Sequence, residues 1–271
     1  MMMEQKTISL NTKKLSYKIT GEGDVVVLIH GFGEDNSVWR NQIEALNQFR
    51  LILPNLPGSG ASELQDDMSM EGLAESVYTI LQAENVTSCV MIGHSMGGYV
   101  TLAFAEKYGD LLRGFGLFHS TAYADTEEKK ATRRKGIDFI RNNGAFAFLK
   151  TTTPNLFAAT TKEQRPQLVE EQIASLDYFT DAALISYYES MMQRPDRTAI
   201  LRAATQPVLL VLGTWDNAVP LKDGLAQAHL ASLSYIHVLR NSGHMGMMEE
   251  QEKANQLLID YLTNRKRHHP A

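Results

Sequence analysis

The sequence predicts an α/β protein with a mostly parallel, doubly wound sheet and an all-helical insertion. Two observations lead to this prediction. Apolar runs such as 25–29 and 208–212 alternate with helical segments in both outer parts of the chain, and such runs are typical of strands covered on both faces. The middle of the chain instead shows only helical periodicity. We therefore expect a core domain of 1–120 and 204–271 and a helical cap insertion at 121–203.

The predicted elements follow one another in a regular order. Segments 7–10 and 15–19 alternate polar and apolar residues, as half-exposed antiparallel strands do. Four further strands and three helices complete the first part: strands 25–29, 50–53, 86–92 and 115–118, and helices 37–47, 70–84 and 97–108. The insertion contains helices 126–143, 145–150, 162–176 and 181–193, and the last part contains strands 208–212 and 234–239 with helices 222–231 and 249–263.

Composition limits the classes of function. The chain has 271 residues, 44% of them hydrophobic, which is enough for one large core with an inserted smaller unit. A formal net charge of −5 gives no support for nucleic-acid binding, and the basic segment 265–269 is interpreted as a solvated chain end. Cys89 is the only cysteine, so no intrachain disulfide can form, and no apolar run reaches the length of a membrane span. A cytoplasmic location is expected, and a homodimer is left open.

The segment Gly93-His94-Ser95-Met96-Gly97 is the most informative motif. It follows an apolar run and precedes a helical pattern, which is the context of a nucleophile elbow. At such a turn the serine hydroxyl is exposed at the carboxyl end of the sheet. The residues two before and two after the serine must be small, because their backbones approach the neighbouring strand and helix. The context favours Ser95 as a nucleophile over an incidental serine in a glycine-rich turn.

A serine needs a base, and the base needs an orienting carboxylate. In sheets of this kind the partners follow in the order serine, acid, histidine. Of eight histidines, His244 alone lies in a loop between the last strand and the last helix. Asp216 is the only carboxylate directly after strand 208–212, whereas Asp223 fits helix capping better. We therefore predict Ser95, Asp216 and His244 as the catalytic residues.

Acyl transfer also needs donors for the developing oxyanion. The backbone N–H of Met96 is one candidate, because the elbow geometry directs it toward the reacting carbonyl. The loop after strand 25–29 reads His30-Gly31-Phe32-Gly33, and the N–H of Phe32 is the second candidate. The phenyl ring of Phe32 is also a candidate wall of the acyl pocket.

Taken together, these motifs resemble the α/β-hydrolase fold superfamily, in the subgroup with a helical cap. The matching segments cover nearly the whole chain: 30–33, 57–62, 93–98, 213–220 and 242–244. The chain is similar to small carboxylesterases and enol-lactonases, and a serine nucleophile argues against the epoxide-hydrolase and haloalkane-dehalogenase branches. Asn55 stands where the family commonly has aspartate, a change expected to alter a structural hydrogen bond. No metal and no cofactor are expected.

In this architecture the insertion lies over Ser95. Its apolar residues are candidates for the pocket roof, although helical spacing favours cap core for most of them: Phe146, Phe148, Leu156, Phe157, Tyr187, Tyr188, Met191 and Met192. His119 and Trp215 end strands beside the catalytic ones and are expected to border the pocket, with His119 a candidate contact for a polar substrate group.

The predicted function is hydrolysis of a small-molecule carboxylic ester or lactone through an acyl-enzyme on Ser95. Two alternatives remain open. One is a carbon–carbon lyase or hydrolase with the same triad, similar to menaquinone-pathway synthases, for which Arg133, Arg134, Arg141 and Arg202 would be candidate contacts to a polyanionic substrate. The other is a non-catalytic receptor of the same fold.

Overall fold

The computed structural model of the chain describes residues 3–268, with side chains as far as residue 264, so the basic segment 265–269 lies beyond the described side chains. The strands are β1 Glu4–Leu10, β2 Lys13–Thr20, β3 Val25–Ile29, β4 Arg50–Pro54, β5 Cys89–His94, β6 Leu112–Phe118, β7 Val208–Gly213 and β8 Ser234–Leu239. The helices are α1 Met70–Ala83, α2 Met96–Tyr108, α3 Glu127–Asn143, α4 Ala145–Thr152, α5 Ala159–Gln164, α6 Pro166–Ala174, α7 Asp181–Gln193, α8 Thr198–Ala203, α9 Leu221–Ala226, α10 Gly246–Glu249 and α11 Gln251–His268. Within the described part of the chain, no helix is long and apolar enough to cross a membrane.

All eight strands form one sheet in the order β1-β2-β4-β3-β5-β6-β7-β8. The β1–β2 and β2–β4 pairs are antiparallel, and every other pair is parallel. The predicted α/β class with a mostly parallel sheet is confirmed. Because the strands from β3 to β8 run in one direction, their carboxyl ends meet at one edge of the sheet. The loops that follow these strands therefore lie close together.

Both faces of the sheet are buried, which explains the continuous apolar runs in the sequence. In β3, Val27 and Ile29 belong to the apolar cluster that contains α1 and α2. Val26 and Leu28 point to the opposite face and belong to the cluster that contains α11. Successive residues of a strand alternate between faces, so a strand covered on both sides must be apolar throughout.

Between β6 and β7 the described elements are all helical, from α3 to α8. The Tyr187 hydroxyl donates to the Pro57 carbonyl at 2.6 Å, and the His244 N–H donates to the Leu156 carbonyl at 2.6 Å. The helical segment therefore packs on the loops at the carboxyl edge of the sheet. As a domain boundary, 121–203 stays a prediction.

One predicted helix is wrong. In place of a helix over 37–47, the chain forms a 3-10 turn at Asn36–Trp39 followed by further turns. Backbone bonds three residues apart prevail here, such as that from the Gln42 N–H to the Trp39 carbonyl. The buried Gln42 side chain also donates to the Met247 carbonyl at 3.0 Å. This long-range bond holds the segment in a conformation that local periodicity does not encode.

Two other helices differ in extent from their predictions. The helix predicted over 162–176 is divided between α5 and α6, because Pro166 lacks an N–H and begins a new helix instead of continuing one. The helix predicted over 222–231 ends at Ala226. Directly after it, the buried Gln227 side chain bonds to backbone atoms of Ser120 and Ala122, which draws the chain toward the end of β6.

Candidate active site

Ser95 lies at the sharp turn between β5 and α2. Its backbone has φ 52° and ψ −117°, a conformation that a residue with a side chain adopts only at a cost of about 1–3 kcal/mol. The Ser95 N–H donates to the Phe118 carbonyl at 2.9 Å, and the Ser120 hydroxyl donates to the Ser95 carbonyl at 2.7 Å. These bonds from the β6 end hold the strained turn in place.

The two flanking glycines are required by close backbone contacts. A Cβ atom at Gly93 would lie 2.1 Å from the Gly97 carbonyl oxygen. A Cβ atom at Gly97 would lie 2.6 Å from the carbonyl oxygens of Ile29 and His30. Neither contact leaves room for a side chain, which is the physical reason for the small residues at these positions.

Asp216 and His244 form a buried pair at the same edge of the sheet. The His244 Nδ1 atom lies 2.8 Å from Asp216 Oδ2. The other carboxylate oxygen, Oδ1, accepts from the N–H groups of Ala218 and Val219 at 2.8 and 2.9 Å. The acid is therefore fixed by its own loop on one oxygen and presents the other to the imidazole.

Each partner of this pair shifts the pKa of the other. Burial raises the pKa of Asp216, but the His244 and His119 imidazoles outweigh it, so the net pKa lies well below its usual range. Burial lowers the pKa of His244, but the Asp216 carboxylate outweighs it and the net pKa is raised. The arrangement favours an ionised acid that stabilises an imidazolium on His244.

His119 lies at the end of β6, as predicted, but makes a contact that the sequence did not indicate. Its imidazole is fully buried and its Nδ1 atom lies 3.1 Å from Asp216 Oδ2, the oxygen that also bonds to His244. His119 thus makes a contact within the protein through Nδ1, and its predicted contact with a polar substrate group stays a prediction. The carboxyl ends of β6 and β7 are neighbours in the sheet, but local sequence gave no signal for this pairing.

His119, Asp216 and His244 are also the one group in the described residues with the spacing of metal ligands, their ligand atoms lying within 4.8 Å of one another. The shared carboxylate oxygen already makes two hydrogen bonds of 2.8 and 3.1 Å. Both recorded side-chain partners of this oxygen are thus imidazoles of the same group. The expectation that the site uses no metal stays a prediction.

The predicted oxyanion loop lies against the elbow. A Cβ atom at Gly31 would lie 3.1 Å from the Ser95 Cβ atom, so this loop approaches the serine closely. Gly33 has φ 63°, which glycine adopts at no steric cost. Within the described residues, neither the Phe32 N–H nor the Met96 N–H has a hydrogen-bond acceptor. The absence of a recorded partner is compatible with the oxyanion role, which stays a prediction.

Two buried carboxylates that the sequence did not point to connect the loops of the site. Glu34 Oε2 accepts from the Gly31 N–H at 2.6 Å and lies 2.9 Å from His94 Nδ1. His94 Nε2 in turn lies 2.9 Å from the His244 carbonyl oxygen. Burial opposes ionisation of Glu34, but His94 and the Gly31 N–H hold its pKa below the ordinary value.

Glu249 makes the second connection. Its Oε1 atom accepts from the N–H groups of Gly243 and Met245 at 2.8 and 3.2 Å, on either side of His244. Its Oε2 atom accepts from the Ala158 N–H at 2.8 Å and from the Thr161 hydroxyl at 2.7 Å, both in the insertion. The histidine loop is thereby tied to the helices that cover it.

A cavity of about 90 Å³ lies between the oxyanion loop and the insertion. Its lining consists of Phe32, Gly33, Glu34, Leu149, Thr152, Thr153, Leu156, Gln172, Leu176, Tyr188 and Met245. The Tyr188 ring stacks on the Phe32 ring with centroids 4.3 Å apart and planes 7° from parallel. Leu156 and Tyr188, two of the predicted roof residues, therefore border this space.

The other predicted pocket residues lie elsewhere. Phe157, Tyr187 and Met191 are buried in side-chain packing, whereas Phe146 is 38% exposed and Trp215 is 60% exposed. None of the five borders the cavity beside Phe32. Helical spacing alone does not separate the residues of α4 and α7 that face the core from those that face a ligand.

Asn55 makes structural hydrogen bonds. Its side-chain oxygen accepts from the Asn36 N–H at 3.0 Å, and its side-chain nitrogen donates to the Ser16 hydroxyl at 3.0 Å. The amide thus joins the segment after β3 to β2. This agrees with the expectation that the aspartate-to-asparagine difference affects a structural hydrogen bond.

Comparison with known proteins supports the same architecture. The structure is similar to that of a thermophilic esterase from Thermogutta terrifontis, with a TM-score of 0.90, 29% sequence identity, and coverage of 97% of this chain and 99% of the other. The chain is 26% identical to a putative carbamate hydrolase, RutD, of Acinetobacter baylyi over 88% of this chain and 92% of the relative. It is 23% identical to 3-oxoadipate enol-lactonase 1 of Acinetobacter baylyi over 92% of this chain and 93% of the relative.

The family model of the alpha/beta hydrolase fold matches residues 24–251, which is most of the chain. The match includes the sheet from β3 onward, the elbow at Ser95 and both loops that carry Asp216 and His244. The resemblance inferred from the motifs is confirmed, and the chain belongs to the α/β-hydrolase fold family.

Proposed function

We propose that this chain is a serine hydrolase that cleaves a small carboxylic ester or lactone through an acyl-enzyme on Ser95. Two observations carry the proposal: Ser95 lies in a strained turn at the carboxyl end of β5, and a buried Asp216–His244 pair with an Nδ1–Oδ2 distance of 2.8 Å lies at the same edge of the sheet. This arrangement supplies a nucleophile, a base and the carboxylate that orients the base.

The reaction proceeds in two acyl-transfer steps. His244 accepts the proton of the Ser95 hydroxyl as the serine oxygen attacks the substrate carbonyl carbon. The N–H groups of Phe32 and Met96 stabilise the oxyanion of the tetrahedral intermediate. His244 then gives its proton to the leaving alkoxide, and the ester bond breaks. In the second step His244 deprotonates a water molecule as its oxygen attacks the acyl carbon, and then returns the proton to the Ser95 oxygen as the acyl–serine bond breaks and the acid leaves.

Asp216 acts throughout by stabilising the imidazolium that forms on His244. Because Oδ1 is held by two backbone N–H groups, the carboxylate cannot rotate to another partner. The hydrogen bond to Nδ1 also fixes the tautomer in which Nε2 is free to accept the serine proton. The raised pKa of His244 is consistent with this role.

The carbon–carbon lyase alternative receives less support. Arg133 lies 2.5 Å from the Asp125 carboxylate, which also forms an ion pair with Arg194 at 2.9 Å. The side chains of Arg134 and Arg141 are more than half exposed, and Arg202 is exposed as well. Within this set Arg133 is thus held in an ion pair and the other three arginines are exposed, which gives little support for a cationic site for a polyanionic substrate.

A substrate screen tests the proposal. The purified chain is assayed with p-nitrophenyl esters of graded acyl length, simple lactones, carbamate esters and carbon–carbon cleavage substrates. Turnover of esters or lactones supports the proposal, and preferential cleavage of a carbon–carbon bond favours the lyase alternative. No turnover together with no adduct from a serine-directed phosphonate would point to a non-catalytic receptor.

A further inference from the structure

We propose that His119 is a positioning residue that acts on His244 through the carboxylate they share. His119 donates its Nδ1–H to Asp216 Oδ2, weakens the pull of that oxygen on His244, and so keeps the catalytic imidazole neutral to lower pH. This inference rests on the proposed function, since it concerns the base of the proposed triad. It goes beyond that function by adding a fourth side chain to it.

The hydrogen-bond geometry determines the tautomer of His119. Asp216 Oδ2 lies within hydrogen-bond distance of Nδ1 of both imidazoles, at 2.8 Å from His244 and 3.1 Å from His119. An ionised carboxylate can only accept, so both Nδ1 atoms must carry hydrogen. His119 Nε2 is buried and, among the described residues, has no hydrogen-bond partner. The Nδ1–H tautomer is therefore the one that satisfies the site.

The neutral form of His119 is favoured by its surroundings. Burial is the largest influence and lowers the pKa of His119 to about 4, although Asp216 opposes this shift. The His244 and His94 imidazoles lower the pKa of His119 further. His119 is thus a neutral dipole at neutral pH, with its N–H directed at the shared oxygen.

The effect on His244 has a definite sign. The carboxylates of Asp216, Glu34 and Glu249 all raise the pKa of His244, and burial lowers it. A second N–H on Asp216 Oδ2 places the positive end of a dipole beside His244 and draws electron density from the carboxylate. Loss of that donor therefore strengthens the hold of Asp216 on the imidazolium and raises the pKa of His244.

The backbone holds the His119 ring in this position. His119 has φ 49°, a conformation that histidine, asparagine and aspartate adopt more readily than other side chains do. Its N–H donates to the Val211 carbonyl at 2.8 Å. A Cβ atom at Gly246 would lie 2.4 Å from His119 Nε2, and one at Gly213 would lie 2.8 Å from its Cε1. Both neighbouring glycines thus leave room for the imidazole.

Two substitutions isolate the hydrogen bond. His119→Leu removes the N–H donor and replaces the imidazole with an apolar side chain of similar size. His119→Asn is the matched control, because its side-chain amide reproduces the Nδ1–H donor and tolerates the left-handed backbone. The measurement is the acidic limb of kcat/KM against pH. We expect His119→Leu to move the limb upward by about half a pH unit or more, and His119→Asn to leave it near that of the parent.

Three outcomes of that comparison would overturn the proposal: an unchanged limb in His119→Leu, a downward shift in His119→Leu, or an equal shift in both variants. The parent gives a test that does not depend on the folding of a variant. Imidazole nitrogen NMR should show His119 as the neutral Nδ1–H tautomer across neutral pH. Titration of His119 near its ordinary pKa, or the Nε2–H tautomer, would refute the proposal.

The same NMR titration separates this inference from the proposed function. If the parent hydrolyses no ester or lactone, the serine hydrolase proposal fails, but the pKa of the His244 imidazole is still measurable in parent and variants. A higher His244 pKa in His119→Leu than in His119→Asn then still supports the role of His119. Equal His244 pKa values would overturn it whether or not the enzyme is active.

Discussion

His94 Nε2 lies 2.9 Å from the backbone oxygen of His244, so the residue directly before the elbow serine bonds to the loop that carries the proposed base. The other ring nitrogen of His94 lies 2.9 Å from Glu34, which in turn accepts from the Gly31 N–H of the oxyanion loop. One buried imidazole thus connects the elbow with both neighbouring loops. Such buried networks fix geometry when all their members are satisfied.

Replacing the elbow serine is the most direct test of the nucleophile. We expect Ser95→Ala to lower kcat for ester hydrolysis by several orders of magnitude, since members of a triad act as a unit. The thermal midpoint should not fall, because alanine removes only the hydroxyl. Intact mass after treatment with a serine-directed phosphonate should show one adduct in the parent and none in the variant. More than a few per cent of the parental rate in the variant would remove Ser95 from the mechanism.

The bonds of Glu249 predict a specific effect of an isosteric change. Glu249→Gln keeps the shape but replaces one accepting oxygen with an NH2 group, which then faces two donors. We expect a loss of about 1–3 kcal/mol in the free energy of unfolding, as for a buried group left without a partner. Because the Gly243 and Met245 N–H groups flank His244, kcat should fall roughly tenfold or more.

The control for this prediction is Glu252→Gln, which removes a carboxylate from an exposed position in α11. Urea unfolding and kcat with one p-nitrophenyl ester are compared among the parent and both variants. The role assigned to Glu249 is contradicted if Glu249→Gln behaves like Glu252→Gln in both measurements.

The stacked rings of Phe32 and Tyr188 predict how acyl length is selected. They border a small cavity of about 90 Å³ beside the predicted oxyanion loop, and we propose this cavity as the acyl site, so the parent should prefer short or compact acyl groups. Tyr188→Ala should enlarge this space and raise kcat/KM for longer esters relative to acetate. Tyr78→Ala is the matched control, because Tyr78 stacks on Tyr108 with centroids 3.9 Å apart, between α1 and α2. Parental activity that rises steadily from acetate to palmitate esters would contradict the prediction.

The three predicted catalytic residues rest on local motifs in the sequence. Ser95 has glycines at fixed offsets, and Asp216 and His244 follow strands in the expected order, so each carries its signal within a few positions. The hydrogen-bond partners of Asp216, Glu34 and Glu249 have no such local signal in the sequence. His119 and Asp216 are 97 positions apart, and Glu249 and Thr161 are 88 apart, so only the folded sheet and insertion bring them together.

The residues that line a pocket and the conformation of segment 37–47 also lack a local signal in the sequence. Helical periodicity does not separate core packing from a ligand-facing side chain, as the buried Tyr187 and the cavity-lining Tyr188 show. The turn at Asn36–Trp39 depends on the bond of Gln42 to the Met247 carbonyl, 205 positions away. The division at Pro166, in contrast, had a local signal, because proline cannot continue a helix.

The pH dependence of the reaction should report on His244. As a base it must be neutral in the free enzyme, so kcat/KM falls as pH drops through its pKa. Burial lowers the pKa of His244, but the upward effect of the Asp216 carboxylate is larger and the net pKa is raised. The acidic limb should therefore lie above the ordinary histidine value of about 6.5. The stability contributed by the His244–Asp216 ion pair has the opposite trend: it is complete below the unfolded pKa and is lost as pH rises through the raised folded pKa.

The experiment compares the parent with His244→Gln over the acidic and neutral range. The parent should show one acidic limb of unit slope, displaced upward from about 6.5. His244→Gln should lose several orders of magnitude in kcat, and its residual activity should lack that limb. A flat parental profile, or a near-parental rate in the variant, would exclude His244 as the base.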